Sequence, residues 1–444
     1  MSGLLPALFG WDDPAPKSTR MPPLFGFALL VTVVTFYLAN SYSVALTDFL
    51  SNGKWVPQIG VTLVAAYMLY SRPSPTLPLP LLLPLLAMLA IATVGVWSSV
   101  DPNYSLLSLV TIAGTVVGGY LISALIVATD SRRAYFELLG MLGRIVIVVT
   151  ILFALAGLNL GRGAGLTAWS DNPNTLALIM APSLVVFMAG CIERRPGWPV
   201  WHAAFFIVGF YLLWATNSRA SAIWIGLSLG AFWIYRRGPG FSVLLAMITL
   251  IVLIGWWNPI RAYAIDVLGL RWSVRNIGIS PLSGREEVWR IGWQLFKERP
   301  LNGYGLGSSQ ELIRGEMWKF VRHQGLHFHS SYIMVMVELG IFGLLAFAAA
   351  MFSTLGRAIA DSGRTRILPR ENWPLAALPF ALIVGSLGHA VFESWLLAAG
   401  NANMLLFWTW VWMVHHQAQV KIRARIVREA PPAPLPAGAA LPAR

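Results

Sequence analysis

The sequence has 444 residues, of which 57% are hydrophobic and only 11% are charged, and its formal net charge is +13. Soluble domains of this length normally carry about a quarter charged residues, so the composition excludes an ordinary soluble protein and indicates an integral membrane protein. The basic residues are scattered between long apolar runs and form no contiguous basic domain, which argues against a nucleic-acid-binding protein.

Apolar runs of membrane-spanning length recur along the chain. A spanning helix needs roughly 20 mostly apolar residues. We therefore predict an all-α polytopic membrane protein with about twelve transmembrane helices. The predicted spans are 23–40, 56–71, 77–97, 105–129, 140–159, 174–192, 199–216, 220–235, 241–257, 330–353, 374–393 and 396–414. Residues 1–22 lack the basic, apolar and small-residue regions of a signal peptide and are predicted to be a cytoplasmic tail.

The distribution of basic residues predicts the orientation, because short cytoplasmic loops are enriched in Lys and Arg. With the N-terminus in the cytoplasm, the cytoplasmic segments hold 18 of these residues and the short outer loops hold 3. Twelve spans then return the basic, Pro/Ala-rich tail at 415–444 to the cytoplasm. The predicted organisation is spans one to nine over 23–257, an outer loop over 258–329 and spans ten to twelve over 330–414.

The outer loop at 258–329 is predicted to be partly helical rather than disordered. It contains two S-x-x-E patterns that are typical of helix N-termini, one at Ser283 and Glu286 and one at Ser308 and Glu311. A loop of this length in a compact protein is usually functional or disordered, and helix signals favour function.

Between Glu286 and Pro300 the spacing predicts an amphipathic helix. Trp289, Trp293 and Phe296 recur at helical intervals beside a second apolar row, with polar residues opposite. Such a helix is expected to lie against the membrane surface. Pro300 is expected to end it, and a glycine-rich turn and a second helix are predicted to follow at 303–307 and 309–324.

Two arginines on the predicted outer face are candidate ligands for an anionic substrate. Arg219 lies in TNSRAS between two apolar runs, and Arg285 lies in the first turn of the amphipathic helix. A guanidinium fits phosphate oxygens bidentately, so a lipid-linked diphosphate would suit both residues. The alternative is that both are anchors whose charged ends reach the lipid headgroups. Arg285 fits this alternative less well, because a cation at a helix N-terminus opposes the helix dipole.

His329 is a candidate general base, since a histidine can accept a proton near neutral pH. It lies where the outer loop re-enters the membrane, in HFHSSYIMVMVELG. The alternatives are a loop histidine bonded to water or backbone, the neighbouring His327 as the base, or a metal site shared with His323 and His327. No carboxylate accompanies these histidines at a suitable spacing, so we predict no metal and no cofactor.

Four further residues are candidates for substrate binding: Arg290, Tyr304, Asn174 and Glu338. Glu338 is expected inside the tenth span, where a carboxylate is a functional candidate by default. Asp101, in WSSVDPNYS, is instead expected to cap a helix or a turn before Pro102.

Several of these stretches together resemble the O-antigen ligase and Wzy-type polysaccharide polymerase superfamily. SGREEVWRIGWQLFKERPLNGYGLGSSQ followed by HFHSSYIMVMVELGIFGLL resembles the core domain of that family. Further motifs are similar to WSSVDPNYS, SDNPNTLA, ATNSRASAIW and FESWLL with Asn401, in the same order. The resemblance covers roughly residues 95 to 410. Ser330 departs from it, since the family usually has asparagine after its motif histidine.

The resemblance implies a metal-independent, inverting glycosyltransferase of the bacterial inner membrane. Its donor would be a glycan on undecaprenyl diphosphate at the periplasmic face. Arg219 and Arg285 would bind the diphosphate, and His329 would accept the proton of the attacking hydroxyl. Membrane lipids and other polysaccharide-assembly proteins would be its partners.

The acceptor and the reaction class leave alternatives open. WSSVDPNYS is most similar to exopolysaccharide polymerases, which favours joining of repeat units. A ligase acting on lipid A core is the alternative, and a polytopic transporter or lipid flippase is the alternative of another class. The polar residues gather in an outer loop rather than at the bilayer centre, which disfavours a transporter.

Overall fold

The computed structural model describes residues 21–41, 53, 55–72, 75–161, 165–192, 198–237, 285–316, 326–364, 373–398 and 401–429. Within these ranges the chain forms α-helices, and its β-structure is limited to one isolated bridge between Ser41 and Ser170. The prediction of an all-α protein is therefore confirmed for this part of the chain.

Thirteen helices lie in the described ranges. They are α1 (Pro23–Ala39), α2 (Trp55–Leu69), α3 (Leu79–Trp97), α4 (Pro102–Ala128), α5 (Arg132–Leu155), α6 (Pro173–Ile192), α7 (Trp198–Ala215), α8 (Arg219–Arg237), α9 (Arg285–Glu298), α10 (Ser309–Glu316), α11 (Ser331–Arg364), α12 (Trp373–His389) and α13 (Ala402–Glu429). Eleven predicted spans coincide with one of these helices, and the ninth, 241–257, lies outside the described residues.

Five of the described helices are long and apolar enough to cross a membrane, namely α3, α4, α5, α6 and most of α11. Helices α1 and α2 and most of α7 and α12 are shorter apolar helices. The chain is a multi-pass membrane protein. The count of twelve spans, the domain boundaries and the orientation stay predictions.

Two helices run past their predicted ends. Helix α11 extends to residue 364 instead of 353, and α13 extends to residue 429 instead of 414. Residues 415–429 contain neither glycine nor proline, so the helix continues into the segment that was predicted as a tail.

Small residues bring the helices together. A Cβ added at Gly385 of α12 would overlap Trp224 and Ser228 of α8, and one at Gly119 of α4 would meet the backbone of Trp408 in α13. Helix pairs in membranes associate through such close backbone approach. The pairs α8–α12 and α4–α13 are the most extensively packed helix pairs in the described part of the chain.

Helix α11 is broken near its start, which the prediction of one continuous span missed. Gly340 has φ 65° and ψ −167°, a conformation available essentially only to glycine. Near the break, backbone carbonyl groups of α11 accept hydrogen bonds from N–H groups of the glycine-rich turn. Tyr304 N donates to Val337 O at 2.9 Å and Gly305 N to Glu338 O at 2.9 Å, while Ile341 N donates to Pro300 O at 2.8 Å. The turn after α9 is thus fixed onto the break in α11.

The WSSVDPNYS stretch packs on the other side of this turn. The hydroxyl group of Ser105 donates a hydrogen bond to Leu306 O at 2.6 Å. Asp101 accepts from Tyr104 N at 3.0 Å and caps α4, which confirms the predicted cap. Two stretches that carry the family resemblance are therefore in contact, although about 200 residues separate them.

The amphipathic helix α9 forms where the spacing predicts it and ends at Glu298, before Pro300. Its buried row is Val288, Ile291 and Leu295, which packs into the protein. Trp293 is 52% exposed. One apolar row of the helix is thus covered by the protein itself, and the expected position of the helix against the membrane surface stays a prediction. Helix α10 ends at residue 316, and residues 317–325 lie outside the described ranges.

The break in α11 leads to a stability prediction. Gly340→Ala should lower the free energy of unfolding by about 2 to 4 kcal/mol, because alanine is strained at this φ and its Cβ would overlap Leu301 O. Gly356→Ala, in the same helix with nothing near the added Cβ, is the matched control. Thermal unfolding in detergent measures both variants. Equal melting temperatures for the two would contradict the assigned strain.

Candidate active site

Two of the three predicted catalytic residues meet at a carboxylate that the sequence did not single out. Arg285 donates from Nη2 to Glu393 Oε1 at 2.7 Å, and His329 Nδ1 lies 3.1 Å from Glu393 Oε2. Arg285 begins α9, His329 precedes α11, and Glu393 lies in the loop between α12 and α13. The side chains of Arg285, His329 and Glu393 are 17%, 27% and 17% exposed, so the cluster is mostly buried but still reaches solvent.

Glu393 is held as an anion. Burial by itself raises the pKa of this carboxyl group, but the hydrogen bond from His329 and the charge of Arg285 outweigh burial and lower the pKa to about 2. The carboxylate therefore stays ionised throughout the neutral range and can only accept hydrogen bonds.

This anion fixes the tautomer of His329. An ionised carboxylate has no proton to donate, so the hydrogen between the two groups belongs to Nδ1. In the neutral ring Nε2 then carries the lone pair. The arrangement leaves Nε2 as the nitrogen of His329 that can accept a proton from a substrate.

The backbone holds His329 in an unfavourable conformation. Its φ is 48°, in the left-handed region that few residues other than glycine adopt. Two serines hold this segment against the loop of Glu393. Ser330 N donates to Ser394 Oγ at 2.9 Å, and Ser331 Oγ donates to Glu393 O at 2.8 Å and accepts from two backbone N–H groups of the same loop.

Trp289 fixes α9 at the same place. Its Nε1 donates to Phe328 O at 2.8 Å, and its ring lies 6.2 Å from that of Phe392. These contacts are with the residues that directly precede His329 and Glu393. Trp289 is one helical turn after Arg285, so it fixes the helix end that presents the guanidinium.

Arg219, the third predicted catalytic residue, is the exposed first residue of α8. The same helical turn carries Ser221, whose Oγ lies 3.4 Å from Nε2 of His389. His389 ends α12, four residues before Glu393. The start of α8 therefore lies beside the loop that holds Glu393, and a role of Arg219 in the site stays a prediction.

The structure gives Tyr304 and Glu338 partners within the protein. Burial and the hydrogen bond that Tyr304 donates to Glu298 at 2.6 Å raise the pKa of Tyr304 to about 12. Glu338 is 3% exposed and accepts from Ser309 N at 3.2 Å, at the start of α10. Both side chains brace the glycine-rich turn. These hydrogen bonds do not test the predicted contact of Tyr304 and Glu338 with substrate, which stays a prediction.

Arg290 and Asn174 are two further predicted substrate-binding residues. Arg290 is exposed on α9, one turn and a half beyond Arg285, and Asn174 is half-buried in the first turn of α6. Neither is brought into the cluster around Glu393 by a hydrogen bond in the described structure. Their assignment to substrate binding remains a prediction.

The structure describes one of the two other histidines in the predicted outer loop. The ring of His327 lies 6.3 Å from that of His329, edge to face, and His323 lies outside the described residues. Among the residues that the structure describes, no group of three or more His, Cys, Asp or Glu side chains has the arrangement of a metal site.

Glu393 and His389 are the site residues that sequence reasoning missed. FESWLL contributed to the family resemblance without a role for its glutamate. The available signal was chemical, since Glu393 is one of only 19 acidic residues and directly follows an apolar run. Its partners lie 108 and 64 residues away, and no local pattern reveals such a pairing.

Part of the chain matches a known protein family. Residues 203–348 match the model of a family described as O-antigen ligase. Over these residues the chain is similar to the O-antigen ligase family. The resemblance predicted from the sequence is confirmed, and the matched domain contains Arg219, Arg285 and His329. Glu393 lies outside the O-antigen ligase match.

Two curated proteins are similar to part of the chain. One, from Rickettsia conorii, bears the name "putative polysaccharide ligase" and is 26% identical over 212 residues, 44% of this chain and 47% of its own length. A protein of the same description from Rickettsia prowazekii is 23% identical over 204 residues, 44% of this chain and 48% of its own length. The chain thus aligns with about half the length of the curated relatives it matches.

Proposed function

We propose that this protein is a membrane glycosyltransferase that moves a glycan from undecaprenyl diphosphate to an acceptor hydroxyl at the periplasmic face. One observation carries the proposal. A single carboxylate, Glu393, binds a cation suited to phosphate and orients a histidine suited to proton abstraction. Transfer from a lipid diphosphate to a hydroxyl needs both functions within one site.

In the proposed reaction, His329 Nε2 takes the proton of the acceptor hydroxyl as its oxygen attacks the anomeric carbon. The new glycosidic bond forms while the bond from that carbon to the phosphate oxygen breaks, and the lipid diphosphate leaves with the electron pair. Direct displacement inverts the anomeric configuration. Glu393 stabilises the imidazolium that forms, as the carboxylate does in other histidine-centred sites.

Arg285 is suited to the leaving group even though it is paired. A guanidinium has five N–H donors, and the bond to Glu393 at 2.7 Å uses one of them. Arg285 and Arg219 each begin a helix, α9 and α8. The partial positive charge of a helix N-terminus favours phosphate, so each arginine adds its charge to that of its helix. Charge developing on the diphosphate would be offset in this way.

Two acceptors fit this chemistry, each favoured by a different observation. The WSSVDPNYS stretch favours a second lipid-linked repeat unit, which would make the protein a polymerase of an exopolysaccharide or other surface polysaccharide. The names of the matched family and of both relatives favour ligation to a separate acceptor such as lipid A core. The catalytic roles proposed for His329, Arg285 and Arg219 are the same in both cases.

Reconstituted protein should consume an undecaprenyl-diphosphate-linked glycan, and Arg285→Lys should reduce this turnover by about 10²-fold. Lysine keeps the charge but cannot bind the diphosphate and Glu393 with one planar fork of donors. A ladder of lengthening products would identify a polymerase, and one shifted band with lipid A core would identify a ligase. Arg314→Lys, an exposed arginine on α10, is the control and should keep full turnover. Full activity of Arg285→Lys in folded protein would contradict the assigned role.

A further inference from the structure

His389 is fully buried, and both of its ring nitrogens have partners within the protein. Trp395 Nε1 donates to His389 Nδ1 at 2.9 Å. On the opposite side of the ring, His389 Nε2 lies 3.4 Å from Ser221 Oγ. The residue has 0% exposure, so substrate and bulk water do not reach it. The proposed mechanism assigns it no chemical step.

The chemistry of the partners fixes the protonation of the ring. An indole N–H can only donate, so Nδ1 of His389 is the unprotonated nitrogen. The ring hydrogen is therefore on Nε2 and points to Ser221 Oγ, which also accepts from Ser218 Oγ at 3.2 Å. His389 is a neutral ring that accepts on one side and donates on the other.

The two hydrogen-bond partners of the His389 ring lie in different parts of the candidate site. Ser221 lies in the first turn of α8, two residues after Arg219. Trp395 lies in the loop of Glu393, and its backbone N–H donates to Ser331 Oγ at 3.1 Å. A hydrogen-bonded path therefore runs from Ser221 through His389, Trp395 and Ser331 to the backbone of Glu393.

The side chains around His389 pack so closely that a shift of α8 would displace the loop of Glu393. Trp224 and Trp395 stack face to face, with centroids 5.6 Å apart and 1° between their planes. The ring of His389 is 5.2 Å from that of Trp224 and 6.1 Å from that of Trp395. Gly385 and Gly388 lie directly against α8, so α12 sits close to that helix here. Packed interiors of this kind do not deform smoothly, and a shift on one side displaces the other.

We propose that His389 is a positioning residue that sets Arg219 at the correct distance from the Arg285–Glu393–His329 cluster. The inference rests on the proposed function, in which Arg219 and Arg285 bind one diphosphate. Two arginines from different helices bind one small anion well only if the helix ends keep a fixed spacing. A misplacement of about 1 Å can cost as much as 10²-fold in rate. His389 joins the first turn of α8 to the loop of Glu393 through Ser221 and Trp395.

The test uses Ser221→Ala, which removes the α8 end of the path and leaves the ring in place. We expect it to raise the KM for the lipid-linked donor about tenfold, with the KM for the acceptor unchanged. His389→Asn, whose side-chain oxygen can still accept from Trp395 but cannot reach Ser221, should show the same effect. In an Arg219→Ala background, Ser221→Ala should add little, because the residue that it positions is already gone.

The matched control is Ser228→Ala in the same helix pair. Ser228 donates to Ala381 O at 2.9 Å, a second buried hydrogen bond between α8 and α12, about two turns further along α8. It should lower the melting temperature as Ser221→Ala does, without changing the KM for the donor. If Ser221→Ala behaves like Ser228→Ala, or adds fully to Arg219→Ala, His389 only packs and the inference is wrong. If Arg219→Ala itself leaves the donor KM unchanged, the proposed role of Arg219 is wrong and the inference falls with it.

Discussion

Replacing His329 with alanine should slow glycan transfer by about 10²- to 10⁴-fold, the usual contribution of a positioned general base. Donor binding should persist, because the proposed diphosphate ligands, Arg219 and Arg285, remain. The measurement is turnover of reconstituted protein together with separate binding of the lipid-linked donor. Loss of turnover with retained binding identifies a proton-transfer role, whereas joint loss of both indicates a binding role.

His327→Ala is the internal control for this variant. The rings of His327 and His329 lie 6.3 Å apart, and His329 is the histidine whose Nδ1 lies 3.1 Å from Glu393 Oε2. His327→Ala should therefore keep most of the turnover. If His327→Ala is inactive and His329→Ala is active, the assignment of the base is wrong.

A chelator added to the wild-type protein separates base catalysis from metal catalysis. Turnover should be unchanged, because the proposed steps place the leaving-group charge on arginines and the proton on His329. If the chelator stops the reaction and a divalent metal restores it, the histidines of the outer loop act as metal ligands and the proposed mechanism is wrong.

The placement of Arg285 illustrates what the sequence could and could not predict. Its position in the first turn of an amphipathic helix was readable, and so was the conflict between its charge and the helix dipole. That conflict indicated that a second interaction was needed. The partner is Glu393 at 2.7 Å, and it comes from the loop between α12 and α13, 108 residues further along the chain. The local sequence pattern therefore identified Arg285 as unusual, and the tertiary structure showed which residue it binds.

Gly340 illustrates a different limit. A glycine within an apolar run is compatible with an ordinary spanning helix, where small residues aid packing. What distinguishes Gly340 is its φ of 65° and the insertion of the turn at residues 303–307 against the break. Periodicity predicts that a helix exists, but it does not reveal that a distant turn takes over the hydrogen bonds of that helix.

Glu393→Gln should be nearly as damaging as His329→Ala, with a turnover loss of about 10²- to 10⁴-fold. Glutamine has almost the same shape but no charge, and its amide can donate to Nδ1 of His329. That hydrogen bond favours the tautomer with the proton on Nε2, so the nitrogen that should accept the substrate proton is already occupied. Arg285 also loses an ionised partner.

The double variant Glu393→Gln with His329→Ala distinguishes this explanation from two independent effects. If Glu393 acts by orienting and charging His329, the double variant should be little slower than His329→Ala alone, since residues that act as a unit are strongly non-additive. Glu311→Gln, which removes an exposed carboxylate paired with Arg314 on α10, is the matched control and should keep full turnover. Melting temperatures must show that each variant is folded. If folded Glu393→Gln keeps wild-type turnover while His329→Ala is inactive, the carboxylate does not set the state of the base, and the shared-carboxylate mechanism is wrong.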